Sequence, residues 1–192
     1  MDSTQAVLDA QALLLELRDE LALFRVHVGL RWDRPTWWEI DNRAMTLHDL
    51  CGSLYEALAE AETNRAPSGT ATASSSYSGT TPADAIDGDA GTRWSSDFAD
   101  YQWLQVDLGV PYSIARVRLF WETAYAQSWR LEYYSGTEWV AVYLNDNGAG
   151  GVEEIFLEPI WPPAQLWRMY GVTRATEWGF SLYEFELYGE PA

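Results

Sequence analysis

An all-β sandwich preceded by two long helices is the fold class predicted, and three observations predict it. Apolar residues recur at helical spacing in the first third of the chain. From about residue 103 onward, short segments alternate apolar and polar side chains between Gly, Asn, Asp and Pro turns. Between them, from Ala66 to Ser78, the composition turns to Pro, Ser, Gly, Thr and Ala, as in a linker that leads into a first strand. The expected division is therefore a helical hairpin over residues 1–66 and a mainly β domain over 67–192.

The helices rest on periodicity. Val7, Ala10, Leu14, Leu17, Leu21, Phe24 and Val28 recur at alternating steps of three and four, which puts them on one stripe. Trp37, Ile40, Ala44, Leu47, Cys51, Leu54, Leu58 and Ala61 repeat the pattern. The start of this second helix is marked by Pro35 and by Thr36 with Glu39 three residues on, the spacing of a capping box. With a turn near Arg31–Arg34, residues 3–65 predict an antiparallel, coiled-coil-like hairpin of helices roughly 25 residues and about 37 Å long. Leu13, Leu15 and Leu23 lie off the seam, so the hairpin is expected to self-associate or dock onto a larger assembly; folding back against the sandwich is the alternative. His27 and His48 stand alone beside the seam, and Cys51 fits on it as a small apolar side chain.

The totals narrow the function. A 47% hydrophobic and 15% aromatic content describes a folded chain, and a net charge of -17 argues against nucleic-acid or anionic-membrane partners. All 12 basic residues are Arg, and the single Cys51 excludes an intramolecular disulfide. No apolar run approaches the roughly 18 residues that span a bilayer. The start, Met1-Asp-Ser-Thr-Gln5, lacks the basic opening of a secretory signal, so the chain is expected to be made without an export tag.

The expected strands are Trp103–Leu108, Ile114–Trp121, Arg130–Tyr134, Trp139–Leu144, Val152–Leu157, Gln165–Val172 and Leu182–Tyr188. Turns such as Asn145–Gly151 and Pro159–Pro163 separate them. Trp94, Trp103, Trp121 and Trp139 are assigned to the core.

The most chemically informative stretch is Asp84-Ala-Ile-Asp-Gly-Asp-Ala-Gly-Thr-Arg-Trp94. Carboxylates at Asp84, Asp87 and Asp89, turn-permitting Gly88 and Gly91, and the Thr92 hydroxyl offer the oxygen-only donor set that calcium prefers over magnesium. A solvated acidic turn is the alternative.

The blocks Ala71–Tyr77, Ala85–Gly88, Thr92–Ser96, Gln102–Gly109 and Ser181–Gly189 together resemble the discoidin family, also called the coagulation factor 5/8 type C domain, in its branch of family 32 carbohydrate-binding modules. The resemblance covers about residues 68–190. It implies an eight-stranded jelly roll with a structural calcium beside its binding loops. The implied ligands are Asp84, Asp87, Asp89 and Thr92, with the Tyr183 carbonyl and the Glu184 side chain closing the shell. It also places binding loops near Tyr77, 97–101, 122–127, 145–151 and 174–178, within which Tyr77, Glu122, Tyr125, Asn145, Asn147 and Trp178 are the glycan-binding candidates. Core packing is the alternative for each aromatic. The His and Arg that galactose-binding relatives present are missing from the 122–127 and 145–151 loops, so the resemblance does not carry galactose specificity to this chain; the polar 77–82 loop argues against membrane binding.

Catalysis finds little support. No His follows residue 48, no phosphate-binding Gly-rich loop precedes a helix, and the adjacent Glu153 and Glu154 point to opposite faces of a strand. The expected function is a non-catalytic, calcium-stabilised carbohydrate-binding or adhesion module, anchored by its hairpin in an oligomer or particle and located outside cells or on a virion surface. The alternative is a purely structural decoration protein of a phage virion or similar assembly.

Overall fold

The computed structural model describes residues 63–157 and 161–192, together with residues 15, 17–19 and 49. The chain divides into two compact units, Met1–Glu62 and Thr63–Ala192. The few described residues of the first unit are helical; the hairpin expected over 3–65 otherwise lies outside the described residues.

The second unit contains eight strands: β1 (Thr70–Ala73), β2 (Trp94–Ser95), β3 (Gln102–Trp121), β4 (Ala126–Tyr134), β5 (Trp139–Asn145), β6 (Val152–Phe156), β7 (Ala164–Arg174) and β8 (Ser181–Pro191). The two segments predicted at 103–108 and 114–121 are one strand. The first half of β3 pairs with β1 and β7, and its second half with β6 and β8, all antiparallel. Gly109, at φ +78°, lies in the register break between Asp107 and Tyr112. A residue without Cβ adopts that backbone at no steric cost, so the strand can leave one sheet there and enter the other. The result is a sandwich of β1-β3-β7-β4-β5 against β6-β3-β8-β2.

Alternation builds the core. Leu104, Val106, Val117, Leu119, Trp129, Leu131, Trp167, Met169, Phe185 and Leu187 are fully buried between the layers, and Trp94 and Trp121 are buried with them. Trp103 and Trp139, also assigned to the core, are only partly buried. Once Leu104 and Val106 point inward, parity turns Trp103 outward, opposite Tyr170 on β7. The Trp139 ring lies 4.0 Å from the guanidinium of Arg168, which pairs with Glu132 at 2.6 Å.

Asn64 and Arg65, read from sequence as the end of the helical region, belong to the sandwich. Asn64 bridges Tyr188, its Oδ1 accepts from Leu187 N at 3.0 Å, and Arg65 N donates to Leu187 O at 2.8 Å. The two-residue β2 covers only the start of β8, and these contacts satisfy backbone groups that it leaves open.

Because β3 turns back on itself, its two ends meet the same connection. Gln102 pairs with Gly171 at the end of β7, and Trp121 with Leu182 at the start of β8. The loops that follow β1, β2, β3 and β7 therefore gather at one end of the sandwich.

Candidate functional site: an aromatic pocket beside an acidic loop

Three aromatic side chains from three loops meet at that end. Tyr77 stacks on Phe98 with ring centroids 4.8 Å apart and an interplanar angle of 24°. Phe98 meets Trp178 edge to face at 5.3 Å. Their exposures of 48%, 45% and 52% take Tyr77, Phe98 and Trp178 out of the core. With Arg93, Glu122 and Thr123 they border a pocket of about 300 Å³ floored by Phe180.

Each wall is held by backbone or buried polar contacts. Tyr77 N donates to Ser95 O at 2.7 Å, and Phe180 N donates to Ser96 Oγ at 2.8 Å. A Cβ on Gly179 would lie 2.5 Å from Ser96 O, so the Trp178 loop can approach β2 only because residue 179 is glycine. Arg174 donates to Asp100 and to the Glu177 and Trp178 carbonyls, which ties the Phe98 loop to the Trp178 loop.

Glu122 is the anion at the pocket. Partial burial pushes its carboxyl up, but hydrogen bonds from Ala124 N–H and the Thr123 hydroxyl, together with nearby Arg93, outweigh that and hold it below the ordinary value. It is ionised at neutral pH and keeps acceptor capacity toward the pocket.

Three other candidates do not line this pocket. Tyr125 is partly buried and packs on the core beneath the 145–151 loop; a Cβ on Gly150 would fall 2.8 Å from its ring. Asn145 Nδ2 donates to Glu153 at 2.7 Å while its Oδ1 accepts from Asn147 N, and Asn147 is exposed. Phe98 was not singled out from sequence, although its loop was; an apolar aromatic in an otherwise polar loop was the available signal.

The acidic loop lies next to the pocket, with Arg93 at the boundary of both. The Asp84 carboxylate is turned away, accepting from Thr81 N at 2.7 Å and Thr81 Oγ1 at 2.8 Å to cap the 3-10 turn Pro82–Ala85. Its carbonyl oxygen faces inward instead. Thr92 Oγ1 lies 2.9 Å from both Asp87 Oδ2 and Asp89 O, 3.1 Å from Asp87 Oδ1 and 3.3 Å from Asp84 O. One hydroxyl proton serves one of those acceptors, so the oxygens outnumber the donors. Tyr183 is the extra residue of a bulge, since Phe120 pairs with Glu184 and Trp121 with Leu182.

Glu184 is buried, and neither of its carboxylate oxygens has a hydrogen-bond partner. Burial, then the charges of Asp87, Glu186 and Asp89, push its pKa up to about 7, against a backbone contact from Gly88. Among the described residues no three His, Cys, Asp or Glu side chains close on one point as a metal cluster. With Asp84 turned to Thr81, any cation shell here would combine backbone carbonyls with carboxylates.

A two-layer antiparallel sandwich that gathers exposed aromatic rings and a fixed carboxylate on loops at one end belongs to the class of ligand-binding β-sandwich modules. The chain is a member of the F5/8 type C domain family, which matches residues 70–185. Chitosan-binding module 2 of a chitosanase/glucanase from Paenibacillus sp. IK-5, in complex with chitotriose, is 39% identical with a TM-score of 0.62; the match covers 66% of this chain and 100% of that one. The family 32 carbohydrate-binding module of Clostridium perfringens NanJ, in complex with galactose, shares the fold at 18% identity and a TM-score of 0.56, covering 65% of this chain and 96% of that module. The polysaccharide lyase 8 family protein HylA of Enterococcus faecalis is 29% identical over 110 residues, 54% of this chain and 8% of HylA's length.

Proposed function

We propose that residues 63–192 form a non-catalytic carbohydrate-binding module whose pocket takes a glycan rich in glucosamine. The observation that carries this reading is the exposed Tyr77–Phe98–Trp178 cluster with ionised Glu122 at its side. Aromatic faces stack on the apolar faces of sugar rings, and a carboxylate pairs with a protonated amine. The identity with a module that binds chitotriose, and a net charge of -17 that draws in a polycation, support the same ligand class.

Calcium is proposed as the resident ion of the acidic loop. The Asp87 and Glu184 side chains would hold it with the Asp84, Asp89 and Tyr183 carbonyls, and the Thr92 hydroxyl would add an oxygen. The unpartnered Glu184 carboxylate and the crowded oxygens around Thr92 support the fit. When bound, the ion neutralises buried negative charge next to the pocket. The amino-terminal segment is proposed to hold the module in an oligomer or larger assembly outside the cell; Leu17, on the predicted seam, is 44% exposed.

Calorimetric titration of the full chain with chitotriose tests the first proposal. Binding that weakens at least tenfold in Glu122→Gln and falls with added salt is expected; no binding to chitotriose or to any sugar of a glycan array overturns it. Light scattering of the full chain against residues 63–192 tests the anchor, which a monomer in both cases would remove.

A further inference from the structure

Tyr101 is the one non-glycine among the described residues with a positive φ, at 62°. An aromatic residue rarely adopts the left-handed region, because its Cβ crowds the backbone, and it stays there only where neighbours hold it. Those neighbours are visible on both sides. Asp100 Oδ1 accepts from Arg174 N at 3.1 Å and from Arg174 Nε at 2.9 Å. Gln102 pairs with Gly171 in the sheet, and its Oε1 accepts from the Ser74 and Ser75 hydroxyls.

What this backbone achieves is exposure. Tyr101 is 65% exposed, the most of any large hydrophobic side chain on the described surface. Among the described residues its ring joins no aromatic pair, and its hydroxyl neither donates nor accepts a hydrogen bond. Packing therefore does not account for the conformation. Tyr101 is three residues beyond Phe98 on the same loop, and the Arg174 guanidinium that braces Asp100 also donates to Trp178 O at 3.3 Å. Tyr101 therefore stands exposed on the same braced loop that carries Phe98 to the pocket.

We propose that Tyr101 forms an outer aromatic subsite, which stacks on a further sugar ring of a chain whose first unit sits at Tyr77, Phe98 and Trp178. This rests on the glycan-binding reading above and adds to it a prediction about ligand length. The pocket of about 300 Å³ has room for little more than one or two sugar rings, so only longer oligosaccharides reach Tyr101.

The test titrates the full chain and its Tyr101→Ala and Tyr101→Gly variants with glucosamine, chitotriose and chitohexaose. Wild type is expected to bind the hexamer more tightly than the shorter ligands. Both variants should lose roughly five- to tenfold in hexamer affinity with monomer affinity unchanged. Tyr101→Gly should melt above Tyr101→Ala, since glycine alone accepts the left-handed backbone without strain; that order separates the ring's loss from damage to the loop. Equal hexamer affinity in wild type and both variants overturns the subsite while leaving the pocket standing. Absence of binding in wild type overturns the pocket reading, and the subsite with it.

Discussion

Arg174 Nε donates to Asp100 Oδ1 at 2.9 Å, and Arg174 Nη1 donates to the carbonyls of Glu177 and Trp178 at 3.0 and 3.3 Å. One guanidinium thereby fixes the loop that carries Phe98 against the loop that carries Trp178. The rings of Phe98 and Trp178 meet edge to face between the loops so joined.

Arg174→Ala should weaken chitotriose binding while costing little stability, under about 1 kcal/mol, because the ion pair is partly exposed. Lysine cannot reproduce the forked contact, so Arg174→Lys should recover only part of the loss. The Arg174 hydrogen bonds hold the Asp100 carboxyl below its ordinary pKa. A depressed folded pKa means the brace is complete above the ordinary aspartate value and is lost as pH falls through the lowered one. Thermal melts and titrations between pH 3 and 7, on roughly that carboxylate scale, check both points.

Phe98 touches both of the other rings, so Phe98→Ala should cost the most affinity of the three aromatic truncations, about tenfold or more. Trp178→Ala and Tyr77→Ala should each cost less. None should move the melting temperature much, since all three rings are about half exposed. Titration calorimetry alongside circular dichroism would show a different order if another surface bound the glycan.

Calcium should raise the melting temperature of the chain, and a chelator should lower it again; at a hundredfold excess over Kd the gain is about 2.7 kcal/mol. Glu184→Gln should abolish most of that calcium-dependent shift. Calorimetric scans with calcium, magnesium and chelator decide this, and identical melts in all three would remove the ion from the account.

Glu153 is a partly buried acid of a different kind. Its Oε2 accepts from Asn145 Nδ2 at 2.7 Å and from Trp129 Nε1 at 3.2 Å, while burial raises its pKa above the ordinary 4.5 despite these bonds. With the folded value raised, stability is greatest below the ordinary value and falls as pH climbs through the raised one. Glu153→Gln keeps an acceptor for Asn145 and Trp129 and removes the charge. It should flatten that pH dependence and gain about 1 kcal/mol at neutral pH, read from denaturant melts.

Much of the fold was legible because strand formation is a local property. The alternation through Leu104 and Val106, or Trp167 and Met169, marks both a strand and its buried face. What misled was parity at single positions: Trp103 is as apolar as Trp94, yet it stands one residue from Leu104 and so faces out. The join of two predicted strands into β3 was hidden too, because a glycine that bends a strand and a glycine that ends one look alike in sequence.

By itself the sequence determined the β-sandwich and the acidic loop with its oxygen donors. Those are consequences of residue type and short-range spacing. Only the tertiary structure decided that Tyr77, Phe98 and Trp178 meet while Tyr125 is covered, and that Thr81 claims the Asp84 carboxylate. Such outcomes depend on pairing register, on the bend at Gly109 and on which neighbour claims a side chain first. They are relations between residues distant in the chain, which no local pattern encodes.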